Sequence, residues 1–358
     1  MQKLEEKRVR SNILALLCMA CFSMTASPTH NSFEQISQEI MLASKMNNGC
    51  IDGNYATKLL KKPFEQAMLA EKPLEANNSF ISKMFIKYNA ICLMMMRKYI
   101  QNPKNPHDKR QALFNFILSS MTQRKQADII KPTGPYANNY LMRQKVPVVR
   151  AGYILSNFNN KKYYDESSKK IICKLLLAGK LSGSALFLID AADIYGNQKI
   201  FNFLLKHANN CNEWKRKKPE SWFALLILGH HGNSVALEKI KKIAETPVKD
   251  RHRQVFSMPL QLAYVQNNEI VDLLKQFLKS KESYFNGGDA IPQSASLSHS
   301  AAIALNSMIA DFPPFSFGSR FTEQDCQRCL DWFKEHKKYK FRKHGIFSHR
   351  IQYVLYEF

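Results

Sequence analysis

Apolar residues in this chain fall in clusters of helical width, and in the middle of the chain the clusters come in pairs. The stretches ALFLIDAADIYGNQKIFNFLLKHANN, SWFALLILGHHGNSVALEKIKKIAE and MPLQLAYVQNNEIVDLLKQFLKS each run from an apolar segment through a Gly or Asn corner into an amphipathic segment. The corner pairs Gly196-Asn197, Gly232-Asn233 and Asn267-Asn268 are 36 and then 35 residues apart, and a near-constant period of that size marks tandem helical hairpins. Within the second segments, Ile200, Phe201, Leu204 and Leu205 form one stripe at helical spacing, and Ala236, Leu237, Ile240 and Ile243 form the next. Ile270, Val271, Leu274, Phe277 and Leu278 make the widest, with Lys275 and Lys279 outside it. Each stripe needs a neighbour to cover it, so side-by-side stacking is the expected arrangement. Alternation of β type is scarce, and no sheet is expected.

Less regular hairpins are expected on both flanks. PVVRAGYILSNF followed by DESSKKIICKLLLAG is one, with Asp165 or Ser167 as helix cap and Gly179 as stop. SHSAAIALNSMIADF followed by TEQDCQRCLDWFKEH is the other, across Pro313-Pro314, with Thr322 as cap and Asp325 as the capping-box acid. The final run, GIFSHRIQYVLYEF, places Phe347, Ile351, Val354, Leu355 and Phe358 on one helical face and is expected to close the stack. Residues 32–121 read as about four less regular helices by the same periodicity. Met84, Ile91, Met94, Met95 and Met96 there read as flexible core packing rather than a methionine site. The Pro- and Gly-containing KPTGPY, near Lys131 to Pro135, is the expected boundary.

GNQKIFNFLLKHANN resembles the second half of an ankyrin repeat. Met258, Pro259, Leu260 and Gln261 stand where such repeats open with Thr-Pro-Leu-His, although only this unit has anything like that tetrapeptide. FALLILGHHGNSVALEKIKKIAE is instead similar to short HEAT-type repeats. The resemblance covers Ser184 to Ser280 and implies a binding scaffold rather than a catalytic site. The expected fold is therefore all-α: an α-solenoid of stacked hairpins over residues 136–358, an irregular helical amino-terminal region over 28–135, and a signal peptide over 1–27.

The signal reading rests on chemistry at the amino terminus. Lys3, Lys7, Arg8 and Arg10 precede the apolar run ILALLCMACF, and small residues follow in SMTAS. Ten apolar residues are too few to span a bilayer as a helix but suit a signal peptide's hydrophobic region. The alternative is an ordinary buried first helix. Export to a periplasmic or secreted location is expected, with no membrane span left after signal removal. Cys18 and Cys21 would leave with the signal, and the other six of the eight cysteines are too dilute for a disulfide scaffold. Against 29 Asp and Glu stand 52 Lys and Arg, a net charge of +23. That excess predicts attraction to anionic material, either a protein or an anionic polymer, and equally serves plain solubility.

Few residues carry candidate chemistry. His230 and His231 precede the second corner and read as turn-packing residues, because adjacent helical side chains diverge by about 100° and suit one metal poorly. Asp190 and Asp193 are spaced as a carboxylate pair on one helix. Cys326, Cys329, His344 and His349 have a spacing close to that of a Cys2His2 zinc site, with His336 as a substitute ligand, though two partly buried helix cysteines account for the same pattern. A zinc- or thiol-dependent protein is the alternative they leave open. Lys337, Lys338, Lys340, Arg342 and Lys343, interleaved with aromatics, form one candidate anion-binding segment, and Lys215, Arg216, Lys217 and Lys218 form a second. Nucleic acid is the alternative partner that the first segment leaves open. Zincin, nucleophile-elbow, phosphate-loop and dinucleotide motifs are absent from the sequence, so no catalytic residue and no cofactor is expected.

Overall fold

The computed structural model describes residues 33–46, 53–70, 80–121, 151–158, 160–181, 183–213, 219–246, 251–286, 293–314 and 321–342. The expected signal segment, the Lys131–Pro135 boundary, Cys50, the Lys215–Lys218 cluster and everything from Lys343 onward lie outside them. The chain divides into two compact units, one of residues 1–113 with 127–147 and one of residues 114–126 with 148–358.

In the first unit, α1 (Phe33–Met46), α2 (Gly53–Ala70), α3 (Phe80–Lys87) and α4 (Asn89–Gln101) pack on one another. Ile40, Leu60, Met68, Ile81, Met84 and Met96 are fully buried. The methionines behave as gap-fillers there, with Met95 buried beside Met96 while Met94 is exposed. Helix α5 (His107–Ser120) belongs to the first unit up to Leu113 and to the second from Phe114. The second half is claimed by side-chain contacts: Phe114 packs edge-on against Tyr164, with ring centroids 5.2 Å apart. The Asn115 amide, for its part, donates to Ser167 Oγ and accepts from Ser168 Oγ, each at 2.6 Å.

The second unit is largely helical and spans the hairpins expected from the sequence. Its α-helices are α6 (Ala151–Asn157), α7 (Glu166–Leu177), α8 (Leu188–Ala191), α9 (Gln198–Asn209), α10 (Pro219–His230), α11 (Ser234–Glu245), α12 (Arg251–Leu262), α13 (Asn268–Leu278), α14 (Leu297–Met308) and α15 (Glu323–Glu335). Short 3-10 turns precede α8 at Gly183–Phe187 and follow α12 at Ala263–Val265. The first members of successive pairs touch in sequence: α6 meets the 183–191 segment, whose 3-10 turn meets α10; α10 meets the 263–265 turn, and α12 meets α14. The second members do the same, α7 against α9, α11 against α13 and α13 against α15. Between α9 and α11 the link is a pair of charge-assisted hydrogen bonds: Lys239 Nζ donates to the carbonyls of Ala208 and Asn209 at 3.0 Å, placing a cation on the negative end of the α9 dipole.

Local sequence explains the second members. Asn197, Asn233 and Asn267 each cap the helix that follows, their side-chain oxygens accepting from Lys199, Ala236 and Glu269 respectively. The third cap is Asn267, one residue earlier than the Asn-Asn pair suggested by alignment with the others. Asp165 caps α7 by accepting from Ser168 N at 2.8 Å, and Gly179 at φ +63° ends it while Lys180 N donates back to Leu175 O. Thr322 and Asp325 form a reciprocal capping box on α15.

The first members depart from the expected pattern. The opening run of the Gly196-Asn197 unit is a 3-10 turn and one α-turn rather than a full helix. Met258–Gln261 lie near the end of α12, not at its opening, because the helix begins at Arg251 and carries Pro259 within it at the loss of one backbone hydrogen bond. A two-stranded antiparallel hairpin, β1 (Ser283–Asn286) with β2 (Gln293–Ser296), is also present, four residues a strand being too short to leave a visible alternation. An isolated antiparallel bridge joins Ile309 and Phe341, the remaining regular structure among the described residues is helical, and none of those helices is long and apolar enough to cross a membrane. Helix α10 is buried from Trp222 to Gly229 on every face, which makes it the centre of the unit's core.

Candidate functional site

The corners between first and second helices bring several polar side chains together. Asp190, on the single turn of α8, accepts a 2.7 Å hydrogen bond from His231 Nε2 at the end of α10. The His231 ring lies flat on Tyr195, centroids 3.5 Å apart and 7° from parallel. Next to it, His230 Nδ1 is 3.3 Å from the Val265 carbonyl, and because a carbonyl only accepts, Nδ1 carries the proton. The His230 ring also packs at 5.1 Å on the fully buried Tyr264. Gln266, in the left-handed region at φ +49°, donates through Nε2 to the carbonyl of Arg342, and Tyr339 donates to the Asn268 side chain. These bonds link residues near successive corners: Asp190 with His231, His230 with Val265, and Gln266 with Arg342. The Asp190 Oδ2 and Tyr264 hydroxyl atoms are buried there with no hydrogen-bond partner among the described residues.

Burial pushes the His230 pKa below its ordinary value of 6.5, Asp190 opposes that shift, the neighbouring His231 adds to it, and the Val265 carbonyl opposes it. The unfolded chain therefore binds a proton at His230 more readily than the folded chain does. Stability linked to this residue is present above pH 6.5 and is lost as the pH falls below it. Burial of His207 acts in the same direction. Urea midpoints measured from about pH 7.5 down to about pH 5.5 are expected to fall, and to fall less in a His230→Gln variant. An equal fall in both proteins would show that His230 does not contribute.

Asp190 and Asp193 do not act as a carboxylate pair. The helix ends at Ala191 and Asp193 turns away at φ +56°, its carboxylate 3.0 Å from Lys161. The pairing of Asp190 with His231 is not readable from residue spacing. The available signal was an acid in the last turn of one first helix and a histidine in the last turn of the next.

Around α15 the described members of the predicted cluster are Cys326, Cys329 and His336. Cys326 Sγ donates to the Leu278 carbonyl at 3.0 Å, Cys329 is fully buried, and His336 stacks on Trp332 with Nδ1 2.9 Å from that residue's carbonyl. Burial raises both thiols, Cys329 to about 12, which removes thiolate character rather than supplying it. No group of three or more His, Cys, Asp or Glu among the described residues is placed to hold a metal, and His344 and His349 lie outside those residues. Cys92, Cys173, Cys211, Cys326 and Cys329 are free thiols.

Of the basic candidates, Lys337, Lys338 and Lys340 are exposed. Arg342 is exposed too; its Nε donates to the carbonyls of Asn306 and Ile309 at 3.1 Å, at the end of α14, which holds the side chain in place and leaves the terminal guanidinium N–H groups outside those two bonds. Among the interleaved aromatics, Phe333 and Phe341 each meet Tyr339 at 5.9 Å, Tyr339 and Phe341 being half-buried, and Phe347 lies outside the described residues. An open groove beside α15 is lined by Asp311, Asp331 and Glu335 against the single cation of Arg328, a balance unsuited to an anion. Lys343 and Lys215, Arg216, Lys217 and Lys218 lie outside the described residues. Comparison of the chain with protein-family models, with curated proteins and with solved structures finds no match.

Proposed function

We propose that the protein is a binding scaffold, a short α-solenoid whose tandem hairpins recognise another macromolecule through the corners and second helices of the repeats. The observation that carries this reading is the register of the three Asn-capped corners, with Asp190 to His231, His230 to Val265 and Gln266 to Arg342 tying each to the next. Such ties hold several loops in one relative position, which is what an extended recognition surface needs and what a single loop lacks. The net charge of +23 favours an acidic partner and speeds encounter with it.

The test is photo-crosslinking from the exposed corner positions Gln198, Ser234 and Asn268 of the full chain in its native host. One macromolecular adduct shared by the three positions is the expected result, and absence of any adduct from all three overturns the reading. Export belongs to the same proposal and rests on the amino-terminal pattern of Lys3 to Phe22. Amino-terminal sequencing of native protein, compartment by compartment, tests it: a start near Ser27 outside the cytoplasm supports export, and a start at Met1 in the cytoplasm removes it.

A further inference from the structure

We infer that the outward faces of α7 and α9 form one cationic docking surface for an acidic polypeptide; the inference rests on the scaffold reading and names its surface. Lys170 and Lys174 stand on the exposed stripe of α7, and Lys199 and Lys206 on that of α9, two helices that pack side by side. The only acid of α7 is Glu166, held by Lys169 at 2.9 Å, and α9 carries no acid. None of the four ammonium groups forms an ion pair among the described residues. The second helices that follow are different. Helix α11 offsets its lysines with Glu238 and Glu245, and α13 carries Glu269 and Asp272, bridged to Lys241 at 2.6 Å and Lys275 at 3.0 Å. The unpaired positive charge of the second-helix row is therefore concentrated at its α7 and α9 end.

Spacing and chemistry favour a polypeptide over other anions. Residues four apart on a helix are separated by about 6 Å along its axis. Alternate side chains of an extended chain project to the same side about 6.7 Å apart, so carboxylates at every second residue meet Lys170 and Lys174 in turn. Leu177, 45% exposed one turn beyond Lys174, adds an apolar spot that an apolar side chain of a polypeptide can cover. Stacking on nucleic-acid bases lacks a platform here. Phe201 sits edge-on to Tyr195 at 5.8 Å, Phe203 packs on His207 at 4.5 Å, and Tyr163 meets Phe158 at 5.2 Å. The four cations are all lysines, point charges without the planar fork that grips phosphate in two places.

The test is fluorescence anisotropy at low salt with a labelled peptide of about a dozen residues alternating Glu and Ala, beside a single-stranded oligonucleotide of equal charge. Wild-type full chain is expected to bind the peptide. Joint substitution Lys170→Gln, Lys174→Gln, Lys199→Gln and Lys206→Gln should weaken it at least tenfold. The charge-matched set Lys58→Gln, Lys61→Gln, Lys62→Gln and Lys98→Gln, exposed on α2 and α4, should change it less than twofold. Glutamine keeps helix propensity close to that of lysine, and circular dichroism melts confirm that both sets fold. Three results overturn the inference: no wild-type binding of the peptide, equal weakening by the two sets, or a loss confined to the oligonucleotide. Each leaves the crosslinking result from the corners standing, so failure of this surface is distinguishable from failure of the scaffold reading.

Discussion

Trp222→Ala should cost about 3–5 kcal/mol of folding stability, the range for removing a large aromatic from a packed core. Trp222 is 2% exposed at the start of α10, and its indole Nε1 donates a 2.9 Å hydrogen bond to Gln261 Oε1, itself in the core on α12. In the same core, Phe223 and Tyr264 pack on Phe187 at 5.1 and 4.3 Å. Truncation leaves a cavity in a buried part of the core, and it withdraws the Nε1 donor from Gln261. Trp222→Phe keeps most of the volume and loses the donor, so about 1–3 kcal/mol is expected for that milder change. Urea unfolding of both variants decides the matter. A loss below about 1 kcal/mol for Trp222→Ala would mean that α10 is not the centre of a close-packed core.

Gly229→Val should destabilise by about 3 kcal/mol, the upper end of what overpacking a core costs. A Cβ at Gly229 would lie 2.8 Å from Ile240 Cδ1, 3.2 Å from Val265 Cγ1 and 3.4 Å from Leu237 Cδ2. The missing side chain thus lets α10 approach α11 and the 263–265 turn together. Ile240→Val removes the methyl that stands closest and by itself costs about 0.5–1.5 kcal/mol. The double variant is expected to be less destabilised than the sum of the two single ones, a coupling that additive, independent sites do not show. Full additivity would place the strain elsewhere.

The helical character and the second helices were legible in the sequence because their rules are local. An Asn accepts from backbone amides two or three residues on, and an apolar stripe repeats every turn, so Asn197, Asn233, Ile200, Leu204, Leu237 and Ile240 announce their helices without reference to anything distant. Gly179 and the Thr322 and Asp325 box were legible for the same reason. The first helices were less so. An all-apolar run such as that before Asp190 is compatible with 3-10 and α conformations alike, and burial among neighbours selects between them.

Side-chain partnerships were settled only by the tertiary structure. Asp190 meets His231 across 41 residues, and the Arg342 guanidinium meets the Asn306 carbonyl across 36, because packing places one helix end beside another. Charge shows the same division. The sequence determined that the chain carries a net +23. The structure decided which lysines are consumed, such as Lys239 on the α9 carbonyls and Lys241 on Glu269, and which remain turned to solvent on α7 and α9. Helix caps and stripes act within a turn or two of chain and are written in order along it, whereas ion pairs and open faces depend on distances that exist only once the helices have packed.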